Sequence, residues 1–154
     1  MQNYTKSQTR LAFIQFIFQL EFSNIKNSET IEDFQEYFYK SNIASIGEKK
    51  EFIFKFNKNF LKKLSNNYIK NFDKKIIVKQ LNKHIQLDRK FEKWDKVLKS
   101  LIFAFISEMQ IADNSKIKII INDYINIAKS LVSTKEIKLM NAIIQKYIDE
   151  KQND

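Results

Sequence analysis

The sequence predicts an all-α protein, because almost nothing in it interrupts a helix. Its 154 residues include no Pro and one Gly, at Gly47, whereas strand-rich folds generally need more turn residues. Hydrophobic residues make up 44% of the chain, which is enough for a core, and they recur with the period of an α-helix. A chain of this length buries roughly 68–70% of its unfolded surface. One domain, or two small subdomains that share a core, is therefore expected.

The first helix is predicted over residues 6–22, with Thr5 and Gln8 spaced as a capping box at its start. Apolar residues occupy most of its circumference, which predicts a central helix. The apolar run is well short of the roughly 20 residues that a membrane span needs, and Gln15 interrupts it. The main apolar stripe consists of Leu11, Ile14, Phe18 and Phe22.

Two further helices are predicted in the first half of the chain. Residues 28–40 form one of them, and residues 41–50, which contain the only Gly, are interpreted as a loop. The next helix is predicted over residues 48–70. Its apolar positions have helical spacing and are Ile53, Phe56, Phe60, Leu64 and Tyr68.

The middle of the chain is less regular. Residues 76–81 suggest a short helix and residues 82–87 a looser connection, with a subdomain boundary near residue 80. A longer helix is predicted over residues 90–110, where Glu108 lies close to a broad apolar arc.

Two helices are predicted after a turn at residues 112–116. They cover residues 118–131 and 134–150, and the second begins with an S-x-x-E capping box at Ser133 and Glu136. Their apolar faces indicate that both pack on the core.

Two asparagines stand out in these last helices. Asn122, with Asp123, is predicted near the first turn of its helix, where an acceptor meets free backbone N–H groups and a negative charge suits the helix dipole. Asn141 falls within the apolar stripe of the last helix. A buried amide without partners costs about 1–3 kcal/mol. We therefore expect Asn141 to bond a neighbouring helix backbone, or alternatively to border a ligand groove.

The net charge of +9 is consistent with a polyanionic partner such as nucleic acid. Nearly all the cations are Lys, however, with Arg only at Arg10 and Arg89. The abundance of Lys, Ile, Asn, Phe and Tyr is typical of an AT-biased coding sequence, which accounts equally well for part of the charge. Charge alone therefore does not decide the function.

Catalytic and metal-binding motifs are missing from the sequence. The chain has no Cys and a single His, His84, so it lacks thiolate metal sites, His-pair zinc sites and disulfides. It has no Gly-rich phosphate loop and no nucleophile motif. The sequence predicts a non-enzyme without cofactor or metal, in a reducing, cytoplasmic compartment and with no membrane association.

Four segments are similar to known family patterns, and the two C-terminal ones also agree in order and spacing. Residues 121–129 read INDYINIAK and residues 139–144 read LMNAII. Upstream, Leu101 through Met109 is similar to a further pattern, with Phe103 where the family has Arg, and Arg10 through Phe18 to another, with Phe13 in place of an Ala. Together these segments resemble the bacterial transcription antitermination factors of the NusB family, clearly at both ends of the chain and weakly over residues 50–72.

The resemblance implies an all-α fold of two packed three-helix bundles, expected here as residues 1–80 and 81–154 in one compact unit. It implies binding of single-stranded boxA RNA together with NusE, a small-subunit ribosomal protein. It further implies that this complex acts on transcribing RNA polymerase in an antitermination complex, notably in ribosomal RNA operons. The family also implies that the chain is a monomer or a homodimer.

The family's residue roles carry over by position. The RNA-binding residues implied by the resemblance are Lys6, Arg10, Phe18, Lys135, Lys138 and Leu139. The residues that match its structural motifs are Gln15, Glu108, Asn122, Asp123, Lys129 and Asn141.

This sequence departs from the family pattern at several of these positions. The family's arginine cluster is reduced to Lys6 and Arg10, and a lysine lacks the bidentate fork of an arginine. Phe18 replaces a Tyr and cannot donate a hydrogen bond, and Leu139 replaces a Phe that could stack on a base. Weaker or differently placed RNA contacts are therefore expected.

Two other functions fit the same sequence. A helical protein-interaction adaptor, with its charge set by codon bias, predicts no salt-dependent RNA binding. The RNA-binding domain of a ribosomal RNA methyltransferase would share this helical module, but the absence of a further domain after Asp154 argues against it.

Overall fold

A computed structural model describes residues 3–22, 56–84 and 90–153. Every regular element in this part of the chain is helical, which confirms the all-α prediction. The six α-helices described are α1 Asn3–Phe22, α2 Lys58–Asn71, α3 Lys74–His84, α4 Lys96–Met109, α5 Ile117–Lys129 and α6 Thr134–Asn153. Short 3-10 turns occur at Phe91–Lys93 and Asn114–Lys116. The chain divides into two compact units, Met1–Lys70 and Asn71–Asp154.

In the first unit, side chains of α1 contact α2 and the residues before it. Phe13 packs edge-on against Tyr68 with 6.2 Å between ring centroids. The backbone N–H of Asn57 donates to Oγ1 of Thr9 over 2.8 Å. The buried apolar residues of α1 are Ala12, Phe13, Ile14, Phe16 and Ile17, whereas Leu11, Phe18 and Phe22 of the predicted main stripe are half-buried.

The predicted starts of these two helices are wrong. α1 already includes Asn3, so Thr5 lies inside the helix and cannot form the expected capping box with Gln8. α2 begins at Lys58, with Asn57 as its N-cap, since Oδ1 of Asn57 accepts the backbone N–H of Phe60 over 2.8 Å. Residues 56 and 57 are therefore not part of the helix predicted over 48–70. The predicted helix over residues 28–40 and the loop over 41–50 lie outside the described residues.

In the second unit, α4 forms the centre. Every residue from Leu98 to Met109 except Lys99 is buried. Phe105 packs edge-on against Tyr124 of α5 and against Tyr147 of α6, with centroids 5.7 Å and 6.1 Å away. These contacts hold both C-terminal helices on α4.

The predicted helix over residues 90–110 begins later than expected. Asp95 is the N-cap of α4, since its Oδ1 accepts the backbone N–H of Val97 over 2.9 Å. The preceding residues form the 3-10 turn instead, and Oδ1 of Asn82 accepts the N–H of Phe91 over 2.9 Å. Asn82 itself belongs to α3, so the short helix predicted at 76–81 is present and extends to His84.

The end of the chain agrees well with the sequence pattern. The capping box that opens α6 is confirmed: Oγ of Ser133 accepts the N–H of Glu136 over 3.2 Å, and Oε1 of Glu136 accepts the N–H of Ser133 over 3.1 Å. None of the described helices is both long and apolar enough to cross a membrane.

Candidate nucleic-acid interface

The two N-terminal cations, Lys6 and Arg10, lie one turn apart on α1 but differ in accessibility. Lys6 is half-buried, whereas Arg10 is 4% exposed. The guanidinium carbon of Arg10 lies 5.4 Å from the centroid of the Phe60 ring, a distance at which a cation is attracted by the aromatic face. Arg10 therefore holds α1 against α2, and Lys6 is the more accessible cation.

Phe18 lies on the same helix but far from this pair. At 1.5 Å per residue it is about 18 Å along the helix axis from Lys6. It is half-buried and packs edge-on against Phe22 with centroids 6.2 Å apart. Gln15 is exposed. The N-terminal candidates are thus spread along α1, and only Lys6 and Arg10 are neighbours.

The C-terminal candidates lie around the connection between α5 and α6, which we call the α5–α6 corner and define as residues 129–138. The chain leaves α5 through hydrogen bonds from the N–H groups of Leu131 and Val132 to the Ala128 carbonyl, at 3.0 Å and 2.9 Å. It enters α6 through the Ser133 capping box. Side chains exposed at the corner are Lys129, Ser130, Leu131, Ser133, Thr134, Lys135 and Lys138.

The lysines of the α5–α6 corner come from both helices. Lys129 is in the last turn of α5, and Lys135 and Lys138 are in the first two turns of α6. Leu139 is half-buried and adds an apolar side chain next to Lys138 in sequence. The corner therefore offers exposed cations beside apolar surface.

Asn141 is exposed, so the prediction that it lies beside the core is wrong. The buried residues of α6 are Met140, Ile143 and Ile144. At 100° per residue, Asn141 is turned away from the centre of that stripe toward solvent, one turn after Lys138. No buried amide needs a partner here, and the side chain is available at the surface.

Asn122 and Asp123 also lie elsewhere than predicted. α5 begins at Ile117, which places Asn122 in the second turn of the helix, past the free backbone N–H groups. Asn122 is exposed and Asp123 is half-buried. The capping carboxylate before this helix is Asp113, whose Oδ1 accepts the N–H of Ser115 over 3.2 Å in the 3-10 turn.

Glu108 has a structural position in the second unit. It is 4% exposed, and its Oε1 accepts a hydrogen bond of 2.9 Å from the hydroxyl of Tyr124, which is 0% exposed. The sequence pattern placed Glu108 near the apolar arc but did not identify this partner. The position of an acid within an apolar arc could have predicted a partner of this kind, because a buried carboxylate needs a hydrogen-bond donor.

Shifted pKa values occur away from the candidate residues. Burial raises the pKa of the Tyr68 hydroxyl above its usual value, with the Glu21 carboxylate adding to the effect. Burial also raises the pKa of Tyr147. Burial and the neighbouring Lys96 lower the pKa of Lys99, whose Nζ donates to the Glu92 carbonyl over 2.8 Å. No group of His, Cys, Asp and Glu in the described segments could hold a metal ion.

Comparison with known families gives a match over residues 7–149, nearly the whole chain, to the NusB family. The chain belongs to the NusB family. No curated protein gave a significant match to it. Membership in the NusB family supports an RNA-binding role related to transcription antitermination, in a family of non-catalytic transcription factors.

Two of the segments that resemble the NusB family carry Asn122 and Asn141. Both asparagines are exposed, whereas the buried positions of the same motifs are apolar, with Tyr124, Ala128 and Met140 among them. Of the predicted site residues, Lys129, Lys135 and Lys138 come together at the α5–α6 corner. Lys6 and Phe18 belong to the first unit and are far apart on α1.

Proposed function

We propose that this NusB-family chain is a non-enzymatic antitermination factor that, together with NusE, binds boxA-like single-stranded RNA in ribosomal RNA operon transcripts. The observation that carries the proposal is the exposed lysine set of the α5–α6 corner. The boxA element, NusE and the RNA polymerase complex are carried over from the family resemblance.

The charge of the region around the corner favours a polyanion. Residues 117–138 contain four lysines and two acids, Asp123 and Glu136. Both acids are half-buried, and Glu136 is engaged by the Ser133 capping box. Exposed lysines without an exposed carboxylate among them attract the phosphates of a nucleic acid. Their binding releases the counterions that were condensed on those phosphates.

The beginning of α6 adds to this attraction. A helix N-terminus carries the positive end of the helix dipole, which stabilises a nearby anion. Lys135 lies in the first turn of α6, so its ammonium group and the dipole act on the same region. Leu139 supplies apolar surface for a base, in place of an aromatic ring.

The first unit contributes differently in this proposal. Lys6 neutralises a phosphate, and Phe18 offers an apolar ring edge to a base. Arg10 is a positioning residue, because its guanidinium lies over Phe60 and little of it is exposed.

Fluorescence anisotropy tests the function directly. The full chain is titrated into a labelled boxA-like RNA and into the same RNA with its sequence scrambled, each with and without purified NusE. We expect tighter binding of the boxA-like RNA, with the difference enlarged by NusE. Equal affinity for both RNAs in both conditions would overturn the boxA proposal. Absence of any salt-dependent RNA binding would instead favour the protein-interaction adaptor.

A further inference from the structure

The solvent-facing side of α5 forms a continuous exposed row, which we call the α5 outer face. It lies opposite the buried side of the helix, formed by Ile120, Tyr124 and Ala128. Its residues recur at helical spacing and are Lys118, Ile119, Asn122, Asn126 and Lys129, all of them exposed.

The two amides of this face have no role in the fold. Neither the Asn122 nor the Asn126 side chain makes a hydrogen bond within the described part of the chain. They lie four residues apart in the helix interior, where an asparagine is unfavourable because its side chain competes for backbone groups. Each carboxamide therefore keeps both its acceptor and its donors available to a ligand.

The ends of the α5 outer face are positively charged. Lys118 and Lys129 are separated by about 16 Å along the helix axis, with both amides between them. The one acid of the helix, Asp123, is half-buried rather than exposed on this face. Ile119 is 52% exposed and gives the face an apolar patch beside the amides.

We propose that the α5 outer face reads adenine bases of single-stranded RNA through Asn122 and Asn126. A carboxamide accepts a hydrogen bond from the adenine N6 amino group and donates one to N7. Lys118 and Lys129 hold the flanking phosphates, and Ile119 contacts a base face. The inference rests on the proposed function and extends it, since Lys129 belongs to both the corner and this face.

The experiment combines a protein change with an atomic change in the RNA. The probes are a labelled uridine-rich RNA with a central run of adenines and the same RNA with purine riboside at those positions. Purine riboside lacks the N6 amino group but keeps the ring. N122A/N126A is compared with the intact chain, and N59A removes an exposed amide from α2 as the matched control. Circular dichroism verifies that all variants remain helical.

We expect the intact chain and N59A to prefer the adenine RNA by about tenfold, as for loss of a good base contact. We expect N122A/N126A to bind both RNAs with nearly equal affinity, with its salt dependence unchanged. If the intact chain binds RNA but the double variant keeps the same preference, the inference is wrong and the proposed function stands. If the intact chain binds neither RNA, the inference is wrong, and the boxA titration with NusE decides the proposed function separately.

Discussion

The hydroxyl of Tyr124 donates a hydrogen bond of 2.9 Å to Oε1 of Glu108 inside the second unit, where both side chains are buried. The bond joins α5 to the central helix α4. It also explains how an acidic residue is tolerated among apolar neighbours, since a buried carboxylate without donors is strongly unfavourable. The Tyr124 ring contributes separately by packing edge-on against Phe105.

We expect Y124F to lower the free energy of unfolding by about 1–3 kcal/mol, because it keeps the ring and removes a donor from a buried acceptor. Urea unfolding followed by circular dichroism measures the change. Y147F is the matched control: it also keeps a ring that packs on Phe105, but its hydroxyl is on a half-buried residue. An equal decrease in the free energy of unfolding of Y124F and Y147F would show that the Tyr124–Glu108 hydrogen bond does not contribute to stability.

The distribution of apolar residues was sufficient to predict the helices of the described segments, because burial of one helix face is a strong periodic signal. Helix starts were harder. Asn57 and Asp95 cap the starts of α2 and α4 through single side-chain bonds of 2.8 Å and 2.9 Å. Nothing in the hydrophobic period distinguishes a capping Asn or Asp from one on a solvated face. The Ser133 capping box was predictable because it requires two residue types at a defined spacing, which can be recognised in the sequence.

The orientation of Asn141 could not be predicted for a related reason. It lies next to the apolar residues of α6 in sequence, and the rotation of the helix decides whether it faces the core or solvent. That rotation is set by Met140, Ile143 and Ile144 packing in the second unit, which is tertiary information. Likewise, Arg10 was predicted as an RNA contact from its position in a motif. Its placement over Phe60 depends on a residue 50 positions later.

The substitution R10K tests whether Arg10 stabilises the fold or contacts RNA. R10K keeps the charge but loses the planar group over the Phe60 ring, so we expect the free energy of unfolding to fall by about 1–2 kcal/mol. RNA affinity measured well below the unfolding temperature should change less than twofold. K6Q is the comparison and should weaken RNA binding with little effect on stability. A large affinity loss in R10K at unchanged stability would assign Arg10 to the RNA.

The stability of the first unit should depend on pH in the alkaline range through Tyr68. Its pKa is raised in the folded state by burial and by Glu21. A raised folded pKa contributes stability that is present below the unfolded pKa of about 10 and is lost as pH rises. Above that pH the unfolded chain releases a proton that the folded chain retains. The free energy of unfolding then falls by up to about 1.4 kcal/mol per pH unit.

We expect Y68F to flatten this alkaline decline, since phenylalanine has no proton to release. Urea unfolding between about pH 9 and 11 measures both slopes. Y147F serves as the control: burial also raises the pKa of Tyr147, but this residue is only half-buried, and the flattening should be smaller. Parallel slopes for the intact chain and Y68F would show that Tyr68 titrates equally in both states.

The exposed lysines of the α5–α6 corner should determine how steeply RNA binding depends on salt. Each phosphate contact with single-stranded RNA adds about 0.7 to the slope of log affinity against log salt. K135Q/K138Q removes two charges without changing the buried face of α6, so we expect the slope to decrease by about 1.4. K75Q/K79Q is the matched control, because it removes two exposed lysines one turn apart on α3. If both double variants reduce the slope equally, RNA binding follows net charge rather than the corner. If neither does, the lysines of the corner make no phosphate contact.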